Sequence, residues 1–374
     1  MANLASMLPS VPKSFGRLSE AYLSALLALD GKTNPLLLAA KQSYAVILVD
    51  GLGVANIKAA GGHAGFLNQK LANSKSLFTG FPTTTATSLA SFATGKQSGE
   101  HAFIGYRVFD REASRPINLL NDLGAELPPR RYQDLETISE QGVASGKRML
   151  TVGPSEYEAS GFTQATMPVS TYLPAKSLAE RFAVASSELA KPGTLIYLYI
   201  PELDQLAHRF GASSQKWLNT IEELDSVLGA FSKSLPKSTG AIVTADHGVI
   251  DVPKSSHIYL DEYTSMKDIL MIGGDPRVGF AYFDSSVDLN QRRASIGEEL
   301  GSLVEVASVQ ELVNSGWYQP FSATAKHVAP DLILLPKADR VIYHREFAKP
   351  KSLEMIGQHG GMSKAEWEVP LLVL

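Results

Sequence analysis

Short runs of consecutive apolar residues alternate with helical patterns along most of the chain. Runs of aliphatic and β-branched side chains, such as 44–49 and 241–245, are typical of strands buried on both faces of a parallel sheet. We predict further strands at 147–152, 194–200 and 369–374. Together these runs predict a buried sheet whose strands are linked by helices.

Helical spacing of apolar side chains marks the segments between these strands. We predict helices at 178–189 and at 215–234, and a further helix that begins near Val54. Residues 1–43 read as a leader with one helix. No internal repeat interrupts this order.

Residues 255–350 carry a second pattern of strands and helices. Strands are predicted at 278–283 and 331–335, with helices at 292–300 and 309–317. This segment separates two candidate site motifs, so we predict an inserted α+β cap at 255–350 and a core formed by 1–254 and 351–374.

The composition narrows the possible functions. The 374 residues are 44% hydrophobic and 19% charged, with a net charge of −4, so no basic face is expected for duplex nucleic acid or an anionic membrane. No apolar run approaches the ~18–20 residues of a membrane span. The stretch Met1 to Leu36 has no compact apolar core with a cleavage site, so we predict no signal peptide and a cytoplasmic protein. There is no cysteine, so any metal would be held by oxygen and nitrogen.

Carboxylates and histidines follow several predicted strands. Asp50-Gly51 ends the run 44–49, at the edge where open α/β sheets place their ligands, although an aspartate there can also cap the next helix. Asp204 and His208 follow 194–200 and are four residues apart, which puts them on one face of a helix. That spacing suits a metal ion but is a weak motif by itself.

Two further motifs come later in the chain. Asp246-His247-Gly248 follows the strand 241–245, and two adjacent polar residues at that place are hard to explain as part of an apolar core. A turn with a hydrogen-bonded histidine is the simpler alternative. His359 lies among glycines, which let the backbone approach a site while the imidazole points inward.

The stretch from Phe81 to Gly95 contains a run of hydroxyl residues at the start of a predicted helix. Thr83, Thr84 and Thr85 fall near the helix N-terminus, where unpaired N–H groups and the helix dipole favour anions. A threonine-rich helix cap is the simpler interpretation. A hydroxyl that also met a metal ion would ionise more easily and attack phosphorus.

The candidate site therefore contains six potential ligands around one hydroxyl: Asp50, Asp204, His208, Asp246, His247, His359 and Thr85. Aspartate and histidine suit zinc, and also manganese or iron. Six ligands suggest two divalent ions about 4 Å apart that clamp the attacking and leaving oxygens of an in-line displacement. We expect zinc, with manganese as the alternative.

This ordered set resembles the alkaline phosphatase superfamily, and most closely its nucleotide pyrophosphatase/phosphodiesterase branch. The motifs that carry the resemblance are the strand-end Asp50-Gly51, Phe81-Pro-Thr-Thr-Thr85 running on to Thr94-Gly95, Asp204-x-x-x-His208, Asp246-His247-Gly248 and His359-Gly-Gly361. The resemblance implies an α/β fold, namely a three-layer α/β/α sandwich with a mostly parallel sheet and an inserted α+β cap. It also implies Thr85 as the nucleophile.

The resemblance implies a division of the ligands between two metals. Asp50, Thr85, Asp246 and His247 would hold one ion, and the other would be held by Asp204, His208 and His359. The implied reaction is hydrolysis of a phosphodiester or nucleotide pyrophosphate, a small-molecule substrate, through a covalent phospho-threonine.

The chain departs from the family pattern at two places. Thr87-Ser88 stands where the family often has Pro-Asn, and Tyr106 aligns roughly with an asparagine that helps to hold a phosphoryl oxygen. The substrate therefore stays open between a diester and the alternatives, a phosphomonoester or a phosphonate. A monoester would require an extra cation, for which Arg107, Lys96 or a cap residue are candidates.

Two other classes of protein fit the sequence less well. A phosphoglycerate mutase-like isomerase would use a serine nucleophile and usually a larger insertion, whereas this chain has Thr85. A non-catalytic metal-binding protein would not need the Thr85 hydroxyl.

Overall fold

A computed structural model describes residues 8–374 of the chain. Residues 1–7 lie outside the described residues. The prediction of a leader and the prediction that there is no signal peptide both include them. In the rest of the leader, the predicted helix is α1, Ala21–Leu29.

An eight-stranded sheet forms the centre of the molecule. Its middle strands, β9, β2, β8 and β6, run parallel to one another. The last strand of the chain, β18, is antiparallel to both of its neighbours. In the order in which they lie side by side, the strands are β1 (Gly16–Arg17), β3 (Lys75–Phe78), β18 (Glu368–Val373), β9 (Thr239–Thr244), β2 (Ser43–Val49), β8 (Thr194–Ile200), β6 (Arg148–Gly153) and β7 (Thr171–Pro174).

Helices cover both faces of this sheet. One group packs α1 against α4 and α7, and the other packs α9 against α11. Both α1 and α9 contact β2 and β8, and all seven residues of β2 are buried between the two layers. Besides α1, the helices outside the segment 255–350 are α2 (Val54–Ala60), α3 (Gly65–Leu71), α4 (Thr85–Thr94), α5 (Ser98–His101), α6 (Pro129–Tyr132), α7 (Ile138–Ala144), α8 (Gly161–Thr166), α9 (Leu178–Leu189), α10 (Glu202–Phe210), α11 (Gln215–Ser234) and α15 (Lys364–Trp367).

A second, four-stranded antiparallel sheet lies inside the segment 255–350, in the order β12, β13, β15, β14. Its strands are β12 (Ile269–Asp275), β13 (Val278–Phe283), β14 (Val304–Ala307) and β15 (Leu332–Pro336), and its helices are α12 (Leu289–Leu300), α13 (Val309–Asn314) and α14 (Ala323–His327). The shorter pairs are β4 (Arg107–Asp110) with β5 (Arg115–Asn118), β10 (Ile250–Asp251) with β17 (Gly357–Gln358), and β11 (His257–Tyr259) with β16 (Val341–Tyr343).

The predicted α/β fold with a mostly parallel sheet is confirmed. The five predicted strands of the main sheet are present to within two residues at each end. The division into a core and an inserted cap stays a prediction. Among the described residues, none of the helices combines the length and the apolarity needed to cross a bilayer.

Candidate metal centre

The sheet topology brings the strand-end motifs together. Strand β2 lies between β9 and β8 and is parallel to both, so the C-terminal ends of all three strands share one edge of the sheet. Asp50 follows β2, Asp246 and His247 follow β9, and Asp204 lies in the first turn of α10 directly after β8. Four sequence-predicted residues therefore meet because of strand order alone.

One group of site residues surrounds His247, whose side chain is fully buried. Its Nε2 lies 3.4 Å from Oδ1 of Asp50, 3.3 Å from Oδ2 of Asp246 and 3.2 Å from Oγ1 of Thr85. Asp50, Asp246 and His247 offer ligand atoms close enough to hold a single ion. The predicted nucleophile is thus in contact with this group.

A second group lies beside the first. Nε2 of His208 is 3.2 Å from Oδ2 of Asp204 and 3.3 Å from Nε2 of His359. The His359 ring stacks on the His247 ring with 3.7 Å between centroids, so the two groups adjoin. Asp204, His247 and His359 also form a set that could hold an ion. His247 can therefore serve either group, whereas the sequence assigned it to one.

The hydrogen bonds of His208 and His359 fix their tautomers. Nδ1 of His208 lies 2.8 Å from the carbonyl oxygen of Gly357, and Nδ1 of His359 lies 3.0 Å from that of Thr83. A carbonyl can only accept, so in the neutral rings each Nδ1 carries the proton and each Nε2 presents a lone pair. While both rings are neutral, the two Nε2 lone pairs face each other at 3.3 Å and cannot form a hydrogen bond with each other. A cation between them would satisfy both.

Several buried polar atoms of the site have no hydrogen-bond partner among the described residues. They are Oδ1 of Asp50, Oδ1 of Asp204, Oδ2 of Asp246 and Nδ1 of His247. Buried polar groups are almost always paired, so unpaired carboxylate oxygens concentrated in one place require another explanation. The donor set of oxygen and imidazole nitrogen fits divalent cations such as zinc or manganese.

Electrostatic repulsion within the site supports the same interpretation. Burial raises the pKa of Asp50 well above its usual value, and the nearby carboxylates of Asp246 and Asp204 raise it further. Burial also raises the pKa of Asp246. Buried carboxylates that repel one another are stable in their ionised form only with positive charge between them.

The hydroxyls of the three consecutive threonines, Thr83, Thr84 and Thr85, contact different groups. Thr84 precedes α4 as its extended N-cap, and Thr85 is the first residue of the helix. Oγ1 of Thr83 donates to the carbonyl oxygen of Gly361, and Oγ1 of Thr84 donates to the carboxylate of Asp275. Of these three hydroxyls, only that of Thr85 contacts a predicted ligand, His247 at 3.2 Å. Thr85 therefore differs from its two neighbours in the contact that its hydroxyl makes.

A cavity of about 560 Å³ opens beside Thr85, Asp50 and Asp204. Its walls come from the segments around 120–123 and 151–172 and from β8. Four tyrosines line it, and the described lining residues include a glutamate but no lysine, arginine or histidine: Tyr157, Tyr172, Tyr197, Tyr199 and Glu156. None of the lining residues belongs to the predicted cap.

The candidate cations named from sequence are engaged elsewhere. Arg107 donates to the carbonyl oxygen of Phe347, and Lys96 lies 3.8 Å from Glu100. Glu202, the first residue of α10, accepts a hydrogen bond from Arg181 at 2.9 Å. Neither Arg107 nor Lys96 lines the cavity.

Sequence reasoning missed three residues that support the site. The hydroxyl of Tyr199 donates to Oδ2 of Asp50. Arg277 and Glu366 form a buried ion pair next to Gly361. Tyr199 could have been found from the sequence, because it and Tyr197 lie two residues apart in β8, just before the site. The contact between residues 277 and 366 could not, because these residues are far apart in the sequence.

Comparison with known protein families finds one that matches most of the chain. The sequence model of the type I phosphodiesterase/nucleotide pyrophosphatase family matches residues 44–362. No curated protein sequence matches the chain significantly.

Solved structures share the fold. Murine ectonucleotide pyrophosphatase/phosphodiesterase 5 superimposes with a TM-score of 0.69 at 17% identity, over 88% of this chain and 87% of that chain. An inactive variant of the murine protein, in complex with AMP, gives the same values. The human protein of that name gives 0.69 at 15% identity, over 89% and 87%. At these identities the similarity concerns the fold.

Proposed function

The chain belongs to the type I phosphodiesterase/nucleotide pyrophosphatase family of hydrolases, within the alkaline phosphatase superfamily, and from this premise we propose that it cleaves phosphodiesters or nucleotide pyrophosphates through a covalent phospho-threonine on Thr85. The observation that carries the proposal is the Thr85 hydroxyl, 3.2 Å from His247 and beside buried ligand atoms that lack partners.

In this proposal the site holds two divalent cations. Asp50, Asp246 and His247, with Thr85, would hold one ion, and the other would be held by Asp204, His208 and His359. Zinc is the first choice and manganese the alternative, because both accept mixed carboxylate and imidazole ligands. When bound, such cations lower the pKa of an oxygen that they contact and stabilise negative charge on a phosphoryl group.

In this proposal Thr85 attacks phosphorus. As the first residue of α4, it lies where the unpaired N–H groups of the helix point towards an incoming anion. Its oxygen forms a bond to phosphorus while the bond from phosphorus to the leaving group breaks. The hydroxyl proton ends on the departing group, which is an alcohol from a diester or a phosphate from a pyrophosphate. Water then cleaves the phospho-threonine and restores Thr85.

The cavity supports a diester rather than a monoester. A phosphomonoester carries one more negative charge, and the described residues that line the cavity supply no cation to balance it. The tyrosines offer flat apolar surfaces with polar edges, which suit a planar group such as a nucleobase. The AMP bound to the murine relative makes a nucleotide the first ligand to test.

Paired chromogenic substrates test this proposal. We would measure turnover of a phosphodiester and a phosphomonoester, together with the metal content, for the wild type, Thr85→Ala and Thr87→Ala. Thr87 is the matched control because it lies on the same helix, is buried, and its hydroxyl has no hydrogen-bond partner among the described residues.

The expected result is two ions per chain and preferred cleavage of the diester. Thr85→Ala should lose at least about 10³-fold in kcat, as expected for removal of a nucleophile, whereas Thr87→Ala should keep most of the activity. A wild-type rate in Thr85→Ala would remove this residue from the mechanism. Preference for the monoester would move the protein to the phosphatase alternative.

A further inference from the structure

The turn between β12 and β13 brings an arginine of the segment 255–350 against the loop 359–361. Arg277 lies in this turn, and its side chain is 4% exposed. Its guanidinium donates to both oxygens of Glu366, at 3.1 Å from Nε and 2.8 Å from Nη2. Nη1 donates to the carbonyl oxygens of Ala338 and Arg340. The arginine is therefore held in a fixed orientation by two-pronged contact with the carboxylate.

Glu366 is fully buried and connects this arginine to the glycine-rich loop of the site. Its Oε1 accepts a hydrogen bond from the N–H of Gly361 at 2.8 Å. Burial alone would raise the pKa of Glu366, but the Arg277 guanidinium and the Gly361 N–H outweigh it and hold the pKa below its usual value. A Cβ at position 361 would lie 2.9 Å from both carboxylate oxygens, so only glycine allows this contact.

The same loop is held from its other side by Thr83. Oγ1 of Thr83 accepts from the N–H of Gly360 at 3.0 Å and donates to the carbonyl oxygen of Gly361 at 2.9 Å. The carbonyl oxygen of Thr83 accepts from Nδ1 of His359 at 3.0 Å. The loop 359–361 is thus fixed between the threonine run that contains the nucleophile and the Arg277–Glu366 pair.

We propose that Arg277 and Glu366 are positioning residues that hold the loop 359–361 so that Nε2 of His359 faces the metal site. This proposal rests on the proposed function, in which His359 is a metal ligand. A buried ion pair often gives no more stability than apolar residues of similar size. The pair does provide an ionised acceptor at a fixed place for the Gly361 N–H, which apolar residues cannot supply.

Metal titration of the apo-protein tests the assignment. Arg277→Lys keeps the charge but loses the two-pronged contact, and Glu366→Gln keeps an acceptor for Gly361 but loses the charge. Each variant should bind the manganese ion assigned to Asp204, His208 and His359 more weakly, by up to about 10–100-fold, which is the loss usual when a direct partner of a metal ligand is removed. The other ion should bind as in the wild type. With the diester, kcat should fall more than KM changes.

Two control variants separate positioning from general destabilisation. Arg293→Lys alters another ion pair of the inserted segment, to Glu311 at 2.9 Å, and should bind both ions normally. Leu300→Ala opens the apolar core of that segment and should lower the melting temperature without a selective loss of one ion. Should Glu366→Gln fail to fold, Arg277→Lys decides the question alone.

Each result has a definite meaning. A selective loss of one ion in Arg277→Lys, absent from Leu300→Ala, supports the assignment. Wild-type affinity for both ions in Arg277→Lys overturns it, as does an equal loss in Leu300→Ala. A wild-type chain that binds no manganese would instead show failure of the proposed metal site itself, and with it of this assignment.

Discussion

At the scale of single residues, the partner of one histidine nitrogen decides what the other can do. His208 and His359 both place Nδ1 against a backbone carbonyl, which leaves both Nε2 lone pairs directed at the same point. Two lone pairs at 3.3 Å repel unless a cation lies between them. The backbone therefore prepares these rings to bind a metal before any ion arrives.

Tyr199 extends this preparation to the carboxylates. Its hydroxyl donates to Asp50, and it lines the same cavity as Tyr172, whose hydroxyl donates to the backbone carbonyl of Pro154 at 2.7 Å. We predict that Tyr199→Phe weakens metal binding by about 10–100-fold, because Asp50 loses the group that orients it. Tyr172→Phe should leave metal binding unchanged. Titration of both apo-proteins checks this, and equal affinities would contradict it.

At the scale of elements, local pattern was sufficient where an element is long and uniform. Strand 194–200 and helices 178–189 and 215–234 have the predicted bounds. Strand β3, next to the edge strand β1, and the edge strand β7 have only four residues each and mixed polarity, so no periodicity marks them. They form because a neighbouring strand offers hydrogen bonds, which is information that a local sequence window does not contain.

The same difference applies to the candidate site. Its predicted ligands follow strands in conspicuous motifs, and strand order then brings them together. Arg277 and Glu366 lie 89 residues apart, and their significance depends on contact with one loop. A lone arginine in a turn looks like solvated surface until the fold buries it. Sequence could therefore indicate the predicted ligands but not the residues that hold them in place.

At two glycines, we predict that substitution by alanine changes the stability of the protein in opposite directions. Gly360 has φ +118°, and a Cβ there would lie 2.9 Å from that of Asp275. We expect Gly360→Ala to destabilise the protein by about 1–3 kcal/mol, because alanine is strained in that conformation. Gly297, inside α12, is exposed and has open space around it, so Gly297→Ala should stabilise by about 0.5–1 kcal/mol.

Thermal unfolding of both variants with the metal removed checks these opposite signs. Removal of the metal matters because Gly360 adjoins His359, and a change in ion binding would shift the melting temperature for another reason. An unchanged or higher melting temperature in Gly360→Ala would show that the loop relaxes around the new side chain.

At the scale of the whole molecule, the segment 255–350, which we predict to be an inserted cap, shares an apolar core with the central sheet. Met271, Val278, Phe280 and Tyr282 belong to the same buried cluster as the strands of the central sheet. The Arg277–Glu366 pair crosses the same boundary. Rigid movement of this segment away from the body would expose those side chains and unpair a buried charge, both at high cost. We therefore expect the segment to support the site from behind rather than to open and close over it.

A buried histidine in the main body makes the stability of the whole molecule depend on pH. The N–H of Phe103 donates to Nδ1 of His101, so Nε2 carries the proton and contacts Oγ of Ser91 at 2.8 Å. Burial lowers the pKa of His101 to about 3. In the unfolded chain the imidazole has a pKa of about 6.5. Between these values the unfolded state binds one more proton, so stability is present above pH 6.5 and is lost as the pH falls towards 3.

Comparison with His101→Gln isolates this effect, because glutamine does not titrate while its amide can still donate to Ser91. Lowering the pH from 7.5 to 5 should cost the wild type about 2 kcal/mol more than the variant, from the single proton taken up on unfolding. Denaturant unfolding of both chains at the two pH values, each with the metal removed, measures the difference. Parallel pH profiles would mean that His101 is protonated within the folded protein, and hence that water or an anion reaches this side chain beneath α4.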